Sequence, residues 1–121
     1  MYAENFLSDV IGDAETISPG ALADRLHITR SELAGVLGPS RDAVSKTARA
    51  EARRTQARLR DMVKILNRVL PWSGSELVAY AWYRSQPLPS FGDKTAESLV
   101  GEGRGEAVKR YLDRIADGGH A

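Results

Sequence analysis

Cysteine is absent from this 121-residue chain, and histidine occurs only twice, at His27 and His120. Without a thiol there is no disulfide framework, no thiolate metal ligand and no cysteine nucleophile. Two histidines so far apart anchor neither a zinc site nor a Ser-His-Asp arrangement, so no catalytic residue, metal ligand or cofactor site is assigned. Long apolar runs are missing too. Nothing approaches the roughly 20 residues a helix needs to span a bilayer, and the acidic start (Glu4, Asp9, Asp13) is unlike a signal peptide. The expected location is the cytoplasm, with no membrane partner. Sustained alternation of β-branched residues is also wanting, so no sheet is expected. Gly101-Glu102-Gly103-Arg104-Gly105 lacks a preceding strand and a following Gly-Lys-Ser/Thr, so it is read as an interhelical turn and not a phosphate loop.

What the chain does have is helix punctuation. Ser18-Pro19 opens a helix to about His27, because a capping hydroxyl precedes proline at the first helical position. Thr29-Arg30-Ser31-Glu32 reads as a capping box for a helix carrying Leu33, Val36 and Leu37 and stopped at Gly38-Pro39. Ser40 caps a third helix to about Ala48. A long helix is expected from about Glu51 to Leu70, with Leu59, Met62, Val63, Leu66, Val69 and Leu70 on one stripe and Pro71 ending it. Ser73-Gly74-Ser75-Glu76 reads as a second capping box, opening the helix of Trp82. On that helix Trp82 is expected in the core and Tyr83 at the surface. The sequence therefore divides into residues 1–17, an arm or short helix; 18–50, a helical module; 51–71, a connecting helix; and 72–121, a C-terminal module.

Net charge is +1, but it is unevenly spread. Residues 1–24 carry five acids and no base, while residues 41–60 carry seven basic residues against two acids. A local basic stripe is what an anionic polymer meets. It lies beside Ala34, Gly38 and Val44, which have the Ala-x3-Gly-x5-Val spacing of a helix-turn-helix: a small residue at the crossing, a glycine for the turn, an apolar anchor. The segment is similar to the helix-turn-helix of Xre-type regulators. The residues expected to face DNA are Ser40, Arg41, Ser45 and Lys46, with Arg49 toward phosphate.

The C-terminal third is the most distinctive part. Trp82, then Pro87, Pro89 and Gly92 around apolar Leu88 and Phe91, then Thr95-Ala96, Leu99, Gly103, Val108, Leu112 and Gly118-Gly119 occur in a specific order. Prolines stiffen the loop and lower the entropy lost when it docks. From Leu66 to Ala121 this pattern resembles the toxin-binding domain of the MbcA/ParS/Xre antitoxins, partners of RES-domain toxins. The resemblance implies an all-α, non-enzymatic antitoxin of a type II toxin–antitoxin system. Such a protein covers the active site of a toxin that acts on NAD or transfers ADP-ribose, and represses its own operon as a homodimer on operator DNA. Toxin contacts are expected at Arg84, Leu88, Phe91, Arg104, Lys109, Arg114 and the tail Gly118, Gly119, His120 and Ala121. The competing expectation is a stand-alone, dimeric Xre-like repressor. A RES-domain toxin encoded by the neighbouring gene separates the two.

Overall fold

A computed structural model describes residues 16–38 and 48–118, with side chains from residue 52 onward in the second stretch. The described residues form six α-helices and one 3₁₀ turn: α1 (Pro19–Leu26), α2 (Arg30–Leu37), α3 (Ala48–Ser73), α4 (Glu76–Ser85), the turn Pro89–Phe91, α5 (Ala96–Gly101) and α6 (Gly105–Gly118). The expected all-α class is what is found. The third helix expected at Ser40–Ala48 lies outside the described residues apart from Ala48, the first residue of α3.

Most helix starts follow their caps. Ser18 accepts from the Ala21 amide, Thr29 from Glu32 and Thr95 from Ser98, each satisfying an amide that the first turn leaves unpaired. His27 ends α1 in the left-handed region at φ 61°. Three expectations need correction. α3 runs two residues past Pro71: proline's fixed φ suits a helix, and its missing N–H removes one bond near the end of the last turn. The cap of α4 is Ser75, whose hydroxyl accepts from the Val78 amide at 3.2 Å. Gly74, at φ 88°, reverses the chain first, leaving the Ser73 hydroxyl to donate to the carbonyls of Leu70 and Ser75. The Glu32 carboxylate accepts from the Tyr80 hydroxyl at 2.7 Å, so it serves α4 in addition to its place in the first turn of α2.

A single apolar cluster takes residues from all six helices. α3 runs through it, with Leu59, Met62, Val63, Ile65, Leu66 and Val69 at or near zero exposure; burying each contributes about 1.5–3 kcal/mol relative to exposure. The N-terminal helices join this core directly. Leu22, Leu26, Leu33 and Val36 are buried in it, and Ile17 both donates to and accepts from the Gln56 side chain (2.9 and 2.8 Å). At the end of α2 the backbones of Gly38 and Gly101 meet: a Cβ on Gly38 would stand 3.2 Å from Gly101 Cα. Arg58 donates to the carbonyls of Leu37 and Gly38 on the same seam. Ala34, expected at a helix crossing, is exposed, and Val44 lies outside the described residues.

Candidate partner-binding surface

The loop after α4 folds on its own amides. The Leu88 carbonyl accepts from Phe91 (2.9 Å) and Asp93 (3.0 Å), and the Leu88 amide donates to Lys94 (3.0 Å). Gly92 and Asp93 both take positive φ, 66° and 67°, which closes the turn. This geometry drives the Leu88 side chain into the core, where it is 1 % exposed. Leu88 was expected to touch a partner; it is instead the anchor of the loop. The same closure leaves Phe91 half-buried at the surface.

Phe91 meets Tyr111 of α6 edge to face, with ring centroids 5.9 Å apart at 71°. The Arg104 guanidinium lies 5.7 Å from the Phe91 centroid, and Arg114 lies 5.9 Å from that of Tyr111. Two aromatic rings thus stand side by side with a cation on each, in the order Arg104, Phe91, Tyr111, Arg114. Aromatic pairs of this geometry contribute about 0.5–1.5 kcal/mol beyond area burial, and exposed cation–π contacts about 0.5–1 kcal/mol each. Glu102 holds the Arg104 end: it accepts from Lys94 at 2.5 Å and sits 3.6 Å from Arg104. The Lys94 hydrogen bond, with the charges of Lys94 and Arg104, keeps its carboxyl below the usual range.

Among the residues expected to bind a partner, Phe91, Arg104 and Arg114 are brought together. Tyr111 was missed, although the 3/4 spacing of Val108, Tyr111, Leu112 and Ile115 placed it on the edge of the core stripe. Lys109 does not join them. It is 7 % exposed, donating to Asp61 (3.0 Å) and paired with Glu106 (2.7 Å). Burial opposes its charge, but those two carboxylates outweigh it and leave the ammonium above its usual pKa. Lys109 therefore ties α6 to α3. Arg84 belongs to another cluster: its guanidinium donates to Glu97 (2.9 Å) and reaches Glu32 (3.5 Å), beside the Tyr80–Glu32 bond. Burial first, then the Glu32 hydrogen bond and charge, raises Tyr80 to about 12.

Trp82 and Tyr83 exchange their expected places. Tyr83 is fully buried and Trp82 half-buried, because Ala79 and Tyr83, four apart, set the inward face of α4. Burial holds the Tyr83 phenol neutral well above the ordinary tyrosine range. Gly118 ends α6 and is exposed; Gly119, His120 and Ala121 lie outside the described residues. So do Ser40, Arg41, Ser45 and Lys46, while for Arg49 only the backbone in α3 is described. A cleft of about 380 Å³ between α2 and α5, lined by Gly35, Gly38, Thr95 and Glu97, lies against the inter-helix seam. Among the described residues no helix is long and apolar enough to cross a membrane.

No curated protein and no solved structure gives a significant match to the chain. One family model does match, over residues 66–118, and its description is the antitoxin Xre/MbcA/ParS C-terminal toxin-binding domain. The matched stretch contains the second half of α3, the Leu88 loop and all four residues of the aromatic–arginine strip. Residues 66–118 are thus a toxin-binding domain of the Xre/MbcA/ParS antitoxin family.

Proposed function

We propose that this chain is the antitoxin of a type II toxin–antitoxin pair, that its partner is a RES-domain toxin, and that the toxin is met by the strip Arg104–Phe91–Tyr111–Arg114. The observation that carries this reading is the strip itself, inside the family-matched residues. It puts two half-buried rings and two planar cations on a loop that its own hydrogen bonds and two prolines hold rigid. Tyr and Arg are the residue types that dominate binding energy at interfaces, and a rigid loop loses little entropy on docking. Inhibition is steric: the chain performs no chemistry and covers the toxin's active-site entrance, with Gly118–Ala121 reaching beyond the end of α6. The same protein represses its operon as a homodimer, with Ser40, Arg41, Ser45, Lys46 and Arg49 toward the operator and the basic start of α3 toward phosphate.

The test is a growth assay in cells expressing the RES-domain toxin with variants of this chain. Phe91→Ala combined with Arg104→Glu is expected to abolish protection and to weaken toxin capture at least tenfold, since loss of an interface anchor costs about 2 kcal/mol or more. Arg60→Ala, on the exposed side of α3, is expected to protect fully. Full protection by the double variant refutes the strip. A chain that captures no RES-domain toxin, yet binds its promoter, returns the reading to a stand-alone repressor.

A further inference from the structure

Helix α4 has two charged residues, and both are tied to other parts of its own fold. Glu76 pairs with Arg25 on α1, and Arg84 with Glu97 on α5 and Glu32 on α2. The outward side of the helix is left apolar: Leu77 is 51 % and Val78 53 % exposed, as is Trp72 (53 %) at the end of α3. At about 100° per residue, Ala81 and Ser85 fall on the same side as Leu77 and Val78, opposite buried Ala79 and Tyr83. The Ser85 hydroxyl already donates to the Ala81 carbonyl at 2.6 Å, so it needs no water if covered. The outward side of a surface helix is ordinarily its charged and polar side. Three half-exposed large side chains amount to roughly 300 Å² of apolar surface, the size at which a patch marks an interaction site.

We propose that this face docks on a second copy of the chain, α4 against α4 antiparallel, with the two-fold axis at Ala81. The pattern is self-complementary about that residue. Leu77 and Val78 lie one turn before it and Ser85 one turn after, so a two-fold sets the large pair of each copy against the small residues of the other. Ala81 at the axis lets the helices approach to the short end of the 8–10 Å range. With Trp72, Pro71 and half-buried Trp82 on the rim, the buried area reaches the order of 1,000 Å² that a specific but weak dimer needs. The neutralised Glu76 and Arg84 leave no like-charge clash across the axis. The N-terminal segment is a poorer occupant, because Ile17 is fixed to Gln56, 16 residues back along α3 from Trp72, a distance of about 24 Å. The proposal deepens the dimer in the reading above, and its test uses neither toxin nor operator.

The test exploits the missing cysteine. The full chain is examined by sedimentation equilibrium over a hundredfold range of concentration, beside Val78→Glu, with circular dichroism melts confirming that both are folded. The chain is expected to dimerise reversibly, and Val78→Glu to weaken the dimer at least tenfold. Ala81→Cys is expected to form an intermolecular disulfide under mild oxidation, since Cα atoms at such an axis fall within bonding range. Ser90→Cys, equally exposed but off the axis, is expected to stay monomeric on a non-reducing gel. A chain monomeric at every concentration overturns the proposal. So does a dimer that Val78→Glu leaves intact, or equal cross-linking of both cysteine variants. A monomer whose Val78→Glu variant loses toxin capture also overturns it and assigns the face to the toxin.

Discussion

Gly105 begins α6 directly beneath Asp61, and adding one methyl group there tests the α3–α6 seam. A Cβ at Gly105 would stand 2.5 Å from Asp61 Cγ and 2.8 Å from Asp61 Cβ, both far inside van der Waals contact. The nearest atoms include the Cβ as well as the carboxylate end, so Asp61 must change rotamer or α6 must shift. Either response strains the 3.0 Å bond from Lys109 to Asp61. Lys109 keeps Glu106, so its charge is not orphaned, and the cost is overpacking, typically about 1–3 kcal/mol. The helix propensity gained by alanine is at most about 1 kcal/mol and smaller still at a first helical position. We expect Gly105→Ala to destabilise by about 1–2 kcal/mol, lowering Tm by roughly 4–10 °C for a chain of this length. Thermal and urea unfolding followed by circular dichroism measure it. Gly35→Ala is the control: it is exposed in mid-α2, has nothing within 4 Å of the added atom, and is expected to stabilise by about 0.5–1 kcal/mol. Adding Asp61→Ala to Gly105→Ala is expected to recover part of the loss, so the pair is non-additive. A Gly105→Ala protein melting at or above the wild-type temperature would refute the reasoning.

Tyr80 keeps its proton to about pH 12 in the folded chain against 10 for a free tyrosine. Its contribution to stability is complete below pH 10 and lost as pH rises from 10 to 12; phenolate absorbance should show the late titration, and Tyr80→Phe should flatten the alkaline loss of stability. Leu88→Ala should cost about 2–5 kcal/mol in urea unfolding, as a fully buried leucine does, whereas Phe91→Ala should cost little stability and much toxin capture. A chain ending at Asp117 should still fold and form a complex but protect cells poorly; full protection in co-expression would move the inhibitory contact back to the strip. Promoter binding should fall steeply with salt as phosphates release counterions, and Arg41→Ala with Lys46→Ala should weaken it.

The caps of α1, α2 and α5 were legible because a hydroxyl followed by an unpaired amide is a local matter, settled within four residues. The apolar stripe of α3 was legible for the same reason, since 3.6-residue periodicity needs no knowledge of the partner helix. What failed depended on tertiary closure. Leu88 and Phe91 look alike in sequence, and only the two left-handed residues after Phe91 decide which one turns inward. Trp82 and Tyr83 were exchanged because residue size suggests burial, whereas the Ala79–Tyr83 spacing sets it. Lys109 reads as a surface cation until Asp61, 48 positions earlier, is placed against it. Of the strip, the two arginines and Phe91 were found through family resemblance, and Tyr111 escaped because it stands on the margin between core and surface.

The seam where Gly38 meets Gly101 bears on what is inherited as a unit and what folds as one. The family-matched stretch begins at Leu66, in the middle of a continuous helix, and leaves out Leu59, Met62, Val63 and Ile65, all fully buried in the common core. It also leaves out Glu32, to which Tyr80 and Arg84 are bonded, and the helix ends that cover α5. A recombination event joining a foreign N-terminal half at residue 66 would therefore have to bring matching apolar side chains, a glycine opposite Gly101 and an acid opposite Tyr80. The boundary marks where sequence is shared among relatives, while cooperativity runs across it, and for this chain the two halves have to evolve together.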